Sequence, residues 1–223
     1  MVSFSPLLIS VERFKIFNGL NIINFTQISA GGTTTYKAVY IVNDPEKIKL
    51  LADYTREEIL RLLSIQPMTE TQLSKKLRLT KAAVSYHLHL LSQAKLIRVE
   101  KTEVEKHGIL QKYYLPTAAL FIVDPQKIPK EVNAYFIQNQ IQYLRGIFSL
   151  LKINQKNYSV SSKALEKLAF ELLKQLKKVS EKFAKIEVKN EDVETIRMKI
   201  YSEALTNLMK QKEWKEIIKK GKA

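Results

Sequence analysis

The pattern of apolar and polar positions is most informative between residues 53 and 115, where it predicts three short helices followed by two strands. In the third helix, about residues 81–94, Val84, Leu88 and Leu91 recur at the spacing of one helical face. Such a face is expected to point into a core, because burying it removes apolar surface from water. This region therefore predicts a compact helical unit with a small β-sheet attached.

After the third helix, apolar residues recur at every second position instead of at the spacing of a helix. Ile97 and Val99 alternate with polar residues, and residues 110–115 form a second apolar-rich stretch. Strict alternation is typical of strands, and Gly108 supplies a turn residue between the two stretches. A β-hairpin is therefore expected, with the loop of residues 103–108 protruding as a wing.

Polar residues at three places indicate where the helices begin. Thr55 with Glu58 and Thr69 with Gln72 have the spacing of capping boxes, in which side chains bond backbone N–H groups that lack an intrahelical partner. Thr80 stands directly before the third helix and is expected to cap it.

The outward face of the third helix carries the candidate DNA contacts. These residues are mostly short or polar, which lets a helix backbone approach base edges in the major groove. They are Thr80, Lys81, Ala82, Ser85, Tyr86 and His89. The alternative is the ordinary surface of a helical bundle, which would more often carry Glu and Lys at these positions.

The wing supplies two further candidates, Lys106 and His107, at its tip. A cationic tip can contact phosphate or enter the minor groove, where the negative potential attracts it. Glu103 and Glu105 oppose this role.

The three stretches "NDPEKIKLLADYTREEILRLL", "MTETQLSKKLRLTKAAVSYHLHLL" and "LIRVEKTEVEKHGILQKYYL" resemble the ArsR-type winged-helix transcription regulators, in the archaeal branch with a long helical tail. They span residues 43 to 115, about a third of the chain. The resemblance implies a homodimeric regulator that binds double-stranded DNA, with residues 80–89 as the recognition helix. Arg78 and Lys95 depart from the family, which usually has glycine there, so Lys95 is expected in a left-handed conformation at a cost of roughly 1 kcal/mol.

The function expected from these observations is sequence-specific transcription regulation, with repression by blocking a promoter. Two alternatives remain open: a winged-helix protein-interaction module in a transcription or chromatin complex, and a non-specific chromatin protein. No Gly-rich phosphate loop, nucleophile constellation or pair of carboxylates in apolar surroundings is found, so an enzyme is not expected.

Metal sensing through thiolates is excluded because the chain has no cysteine. His87 and His89 are two residues apart on one helix and point to different faces, and His107 is alone in a loop. Neither a metal site nor a cofactor is expected.

The net charge supports a nucleic-acid partner only in part. The 223 residues carry 37 basic and 22 acidic side chains, a formal +15, which suits a nucleic-acid partner. However, residues 121–223 alone hold 21 basic against 12 acidic side chains, and the alternative for these is a solvated helical face. No apolar run has the length of about 20 residues that a membrane span needs. A cytoplasmic protein without membrane contact is expected.

Three regions are expected along the chain, in a mainly α fold with a small β-wing (α+β). Residues 1–36 form an N-terminal extension, either poorly ordered or an extra β-hairpin, and translation could instead start near Val39. Residues 37–124 form the winged helix-turn-helix domain, ending in a strand-like stretch, and Pro125 and Pro129 mark a linker. Residues 125–223 are expected to be all helical.

The apolar surface of residues 131–152 is broad, and a small bundle is not expected to bury it alone. A homodimer through residues 125–223 is therefore expected. The alternative is that the three or four helices of this region close on themselves.

Overall fold

The structure is a computed structural model that describes residues 35–104, 108–153, 160–189 and 192–220. The expectation for residues 1–36 therefore lies outside the described residues, apart from the last two. In chain order the elements are β1 (Thr35–Val42), α1 (Pro45–Leu51), α2 (Tyr54–Ile65), β2 (Met68–Thr69), α3 (Glu70–Leu77), α4 (Lys81–Gln93), β3 (Ile97–Val104), β4 (Leu110–Pro116), β5 (Ala118–Val123), α5 (Lys130–Ile153), α6 (Ser162–Ser180), a 3-10 turn (Glu181–Phe183), β6 (Glu187–Lys189), α7 (Val193–Met209) and α8 (Lys212–Lys220).

The predicted order of three helices and a hairpin is confirmed. β3 and β4 pair antiparallel from Ile97 opposite Pro116 to Val104 opposite Leu110, and β2 adds a short third strand to β4. The apolar faces of α2, α3 and α4 meet in one core with α1 and the base of the wing. The expected fold class, mainly α with a small β-wing, therefore describes this half of the molecule.

Two of the three predicted helix starts are confirmed in atomic detail. At α3 the capping box is complete, since Thr69 Oγ1 accepts from the Gln72 N–H at 3.2 Å and Gln72 Oε1 accepts from the Thr69 N–H at 2.9 Å. Thr80 Oγ1 accepts from the Ala83 N–H at 3.1 Å. The start of α2 was wrongly placed at Thr55.

The α2 helix begins one residue before Thr55, at Tyr54, with Asp53 as its cap. The Asp53 carboxylate accepts from the Arg56 N–H at 2.9 Å. Glu58 does not reach back to the helix start, because its carboxylate binds the Arg61 guanidinium at 2.5 Å. Asp and Thr both cap helices well, so the local sequence does not distinguish Asp53 from Thr55 as the cap.

A second sheet joins the ends of the winged-helix half. β1 pairs parallel with β5, from Lys37 opposite Ala118 to Val42 opposite Val123. Parallel strands need a long crossover connection, and here the crossover is the whole winged helix. The β5 strand was expected, but its parallel partner was not.

The third strand of this sheet lies in the region expected to be all helical. β6 pairs antiparallel with β1, with Tyr36 opposite Val188. It has only three residues, too few for an alternating pattern to stand out from the helices on either side. The C-terminal region is therefore helical with one short strand added.

The C-terminal helices pack on the β1–β5 sheet and on one another. Ile141, Leu144 and Phe148 of α5 are buried in this core, and the Phe148 ring stacks on Trp214 of α8 with centroids 5.0 Å apart. Phe136 of the same helix is buried instead in the winged-helix core. The broad apolar surface of residues 131–152 is thus largely covered within one chain, and it no longer supplies a reason for a second chain.

The segment expected to be a linker is packed against both halves. Asp124 and Pro125 are buried, and the Asp124 N–H donates to the Val42 carbonyl at 2.9 Å. The Asp124 carboxylate also lies 3.0 Å from Lys177 Nζ of α6. Leu173 of α6 belongs to the winged-helix core. The two halves therefore share one interior. None of the helices in the described ranges is both long and apolar enough to cross a bilayer.

Candidate nucleic-acid interface

The α4 helix divides into a buried face and an exposed face. The side chains of Val84, Leu88 and Leu91 are 0%, 2% and 0% exposed. Ser85 and His89 are exposed, and Tyr86 is 60% exposed. Because residues three and four apart share a helical face, this burial fixes the direction of every side chain along α4. The exposed face is the one that the sequence predicted.

The first turn of α4 is open to solvent. Thr80, Lys81 and Ala82 are all exposed, and the Thr80 hydroxyl is occupied as the helix cap. The turn that precedes it contains Arg78 in the left-handed conformation, with φ at 55°. Free backbone N–H groups and the helix dipole favour a negative group at this end.

A basic cluster surrounds this helix start, and it was not singled out in the sequence. Residues 71–99 contain six basic side chains and no acidic one. Four of the six, Lys75, Lys76, Arg78 and Lys81, lie at the end of α3, in the turn and at the start of α4, and all four are exposed. Within the described part of the chain no carboxylate pairs with them. The absence of acidic residues was the signal that could have identified this cluster.

The charges of β3, in contrast, compensate one another. Lys101 Nζ lies 2.6 Å from Glu103 and 4.6 Å from the centre of the Tyr113 ring, and Arg98 pairs with Glu100 at 2.9 Å. The hydrogen bond from Lys101 lowers the pKa of Glu103, so this carboxylate stays ionised. The two predicted contacts, Lys106 and His107, lie outside the described residues.

The end of the wing exposes apolar side chains. Val104 is 69% exposed, Ile109 is 60% exposed and Leu110 is 56% exposed. Val104 and Leu110 are opposite each other in the β3–β4 ladder, so they extend from neighbouring strands. These side chains form an exposed apolar surface on the described part of the wing.

The histidines of α4 lie as the two-residue spacing indicated. His89 is exposed, whereas His87 is half-buried beside Tyr86, with the two ring centroids 5.4 Å apart. Among the residues that the structure describes, no three histidine, aspartate or glutamate side chains come close enough to hold a metal ion.

Known proteins resemble the chain over its winged-helix part. Residues 51–100 match the sequence model of a family described as a helix-turn-helix domain. No curated protein matches the chain.

Among solved structures, reduced HlyU from Vibrio cholerae is 25% identical, with 40% of this chain and 75% of that chain covered and a TM-score of 0.26. The transcriptional regulator HlyU from Vibrio vulnificus is 27% identical, with 40% and 74% covered and a TM-score of 0.26. The adhesin competence repressor AdcR from Streptococcus pyogenes is 25% identical, with 52% and 72% covered and a TM-score of 0.29.

TM-scores this low do not establish a shared overall fold, so the family match and the geometry of the chain itself are decisive. The match covers α2, α3 and α4 and ends in β3. The hairpin that follows supplies a wing. Residues 51–100 of this chain therefore form a helix-turn-helix domain, and with its β-hairpin it is a winged helix-turn-helix of the kind that the resemblance to ArsR-type regulators implies.

Proposed function

We propose that the protein is a sequence-specific transcription regulator that binds double-stranded DNA as a homodimer and represses by covering a promoter. One observation carries this proposal: α4 presents an exposed face of mostly short or polar side chains next to a basic cluster without carboxylates. A helix with these properties fits the major groove, where base edges are read at close range.

The two parts of the surface have different roles in this proposal. Ser85, Tyr86 and His89 read bases, because they lie on the outward face of α4. Basic side chains at the helix start bind phosphates, which positions the helix without reading sequence. These are Lys75, Lys76, Arg78 and Lys81, with Thr80 and Ala82 allowing close approach. Lys106 and His107 remain proposed contacts of the wing.

The homodimer is supported by the geometry of reading two half-sites one helical turn apart. The contact surface is proposed in residues 125–223. There Met198 and Ile186 are 51% and 42% exposed, and Met198 lines a shallow groove with the half-buried Phe183. Apolar side chains exposed in this way are common in interfaces between subunits.

The experiment that tests DNA reading is the substitution Ser85→Glu. A carboxylate in the groove meets the negative field of DNA and replaces a base contact of about 1–3 kcal/mol, so affinity should fall roughly 5-fold to 150-fold. The ligand is a duplex selected by the protein from a random-sequence library, and gel-shift titration measures the affinity.

The matched control is Gln93→Glu, which adds the same charge at the exposed far end of the same helix. Thermal melting of both variants verifies that the fold is intact, since surface substitutions change stability by only about 0.5 kcal/mol. Unchanged affinity of folded Ser85→Glu contradicts the assignment of α4 as the recognition helix.

A protein-interaction module is the second candidate, and one observation favours it. The exposed Val104, Ile109 and Leu110 side chains, next to the ends of the two wing strands, form an apolar surface that a protein partner could cover. The library selection separates the two candidates, because an interaction module would enrich no sequence. A non-specific chromatin protein would bind the library without enrichment.

A further inference from the structure

A cleft of about 630 Å³ lies between the winged-helix half and the C-terminal helices. One side is α2 with Leu51 of α1, and the other is formed by α5 and α7, while β5 and two leucines of α6 complete the lining. The volume falls within the range of sites that hold small organic molecules.

Six of the described residues that line the cleft are aromatic. They come from three helices and a strand and include Tyr54, Phe121, Tyr135, Tyr143 and Tyr201. The rings of Tyr143 and Tyr201 meet edge to face with centroids 5.4 Å apart. Burial raises the pKa of both phenols, so both stay neutral at ordinary pH. Flat apolar rings pack well on such a lining.

The charged side chains that line the cleft already have partners. Arg61 binds Glu58 at 2.5 Å, and Arg197 binds Glu194 at 2.8 Å. The Tyr135 hydroxyl donates to Glu57 Oε2 at 2.5 Å, which connects α5 to α2. A charged ligand would have to break one of these contacts, whereas an uncharged ligand would not.

One residue of the cleft lining, Gln140, has a buried polar atom without a partner. Gln140 Oε1 is buried without a hydrogen bond from any residue that the structure describes. A buried acceptor left in this way costs stability, and most buried polar atoms in proteins are paired. A donor on a bound molecule would satisfy it when the Gln140 side chain turns to bring Oε1 to the cleft surface.

We propose that this cleft binds an uncharged, largely aromatic small molecule whose single N–H or O–H group donates to Gln140 Oε1. The helix α2 connects this site to the DNA face. Its residues Tyr54 and Arg61 line the cleft, whereas Ile59 and Leu63 are buried in the core that also holds Val84 of α4. Occupancy therefore changes DNA affinity by shifting α2 against the C-terminal helices, a second step that rests on the proposed function.

The binding step is tested on the full chain with N-phenyl-1-naphthylamine, an uncharged aromatic amine with one N–H group, whose fluorescence rises when it leaves water. We expect saturable binding of one molecule per chain. Gln142→Trp places a large ring at the edge of the cleft and should weaken binding on the order of tenfold, because it fills volume that the ligand needs.

Gln138→Trp is the matched control, since Gln138 is exposed one turn earlier on α5 and does not line the cleft. It should bind the amine as the native chain does. Absence of saturable binding, or equal affinities of the two tryptophan variants, overturns the proposal. Cleft closure by a second copy of the chain would give the first of these results.

The hydrogen bond has its own test in Gln140→Leu, with Gln138→Leu as control. Leucine keeps the approximate shape of the side chain but removes the acceptor. The affinity for the amine should therefore fall on the order of 3-fold to 10-fold, as expected for one hydrogen bond. It should also raise the melting temperature, because a buried unpaired atom disappears. Unchanged affinity contradicts the role of Gln140, and this variant decides the question if Gln142→Trp fails to fold.

The regulatory step is measured as affinity for a mixed-sequence duplex with and without saturating amine. A change of at least about fivefold is expected, the lower end of the usual size of coupling between two sites. An occupied cleft with no change in DNA affinity refutes the coupling alone. A chain that binds the amine but no DNA refutes the proposed function and leaves the site standing.

Discussion

Replacing Leu173 by alanine tests whether the two halves of the molecule behave as one unit. Leu173 belongs to α6 of the C-terminal region, but its side chain packs in the winged-helix core and is 4% exposed. If the halves share one interior, a cavity at this position should weaken both. If a flexible linker separated them, the effect would stay local.

The expected magnitude follows from burial. A leucine as enclosed as Leu173 cannot be truncated without leaving a cavity, and such substitutions cost about 2–5 kcal/mol. We expect a loss of about 3 kcal/mol in the free energy of unfolding. For a chain of this length, each kcal/mol corresponds to about 2–4 °C, so the melting temperature should fall by roughly 6–12 °C.

Two probes report on the two halves. The only tryptophan, Trp214, is buried in the C-terminal core and reports on that region through its fluorescence. Amide hydrogen exchange along α4 reports on the winged helix. Leu172→Ala is the matched control, because Leu172 is the neighbouring residue on α6, is 0% exposed and packs in the C-terminal core instead.

One shared interior predicts that either substitution lowers the Trp214 transition and speeds α4 exchange together. The reasoning is refuted if Leu173→Ala moves the Trp214 transition but leaves exchange in α4 as it is in the native chain. It is also refuted if Leu172→Ala leaves α4 unaffected, since the halves would then unfold independently.

Two further predictions concern single residues. Lys95 has φ at 58°, a conformation that costs non-glycine residues about 1–2 kcal/mol. Lys95→Gly removes this strain but gives the unfolded chain more conformational freedom, so the free energy of unfolding should rise by about 0.5–1 kcal/mol. A lower free energy of unfolding in urea would contradict the strain. The Tyr36 hydroxyl donates to the Ser64 carbonyl at 2.9 Å, and burial raises the pKa of this phenol above its ordinary 10.0. The contribution of the neutral Tyr36 phenol to the free energy of unfolding is therefore complete below pH 10.0. It is lost as the pH rises through the pKa that this phenol has in the folded state. Tyr36→Phe should cost about 1–3 kcal/mol at neutral pH and flatten the alkaline decline, and identical pH slopes would argue against the shift.

The sequence by itself determined the winged-helix half because that half is held together by local signals. The capping residues Thr69 and Thr80 act over three residues, and the face of α4 follows from a periodicity within one helix. Val84 is buried where the spacing placed it, which left Ser85 exposed. The left-handed conformation of Lys95 was also expected, because the family that the chain resembles usually has glycine at this position.

Only the tertiary structure decided how the two halves meet. The parallel pairing of β1 with β5 connects residues about eighty positions apart, and the three-residue β6 is too short to be predicted from its pattern of apolar residues. The sequence pattern predicts neither that Leu173 of α6 packs in the winged-helix core nor that a cleft lies beneath α2. The physical reason is that apolar periodicity records that a face will be buried, whereas the partner that buries it is chosen by the packing of the whole chain. The broad face of α5 shows this most clearly, because the same pattern would suit a second chain or the sheet that covers it.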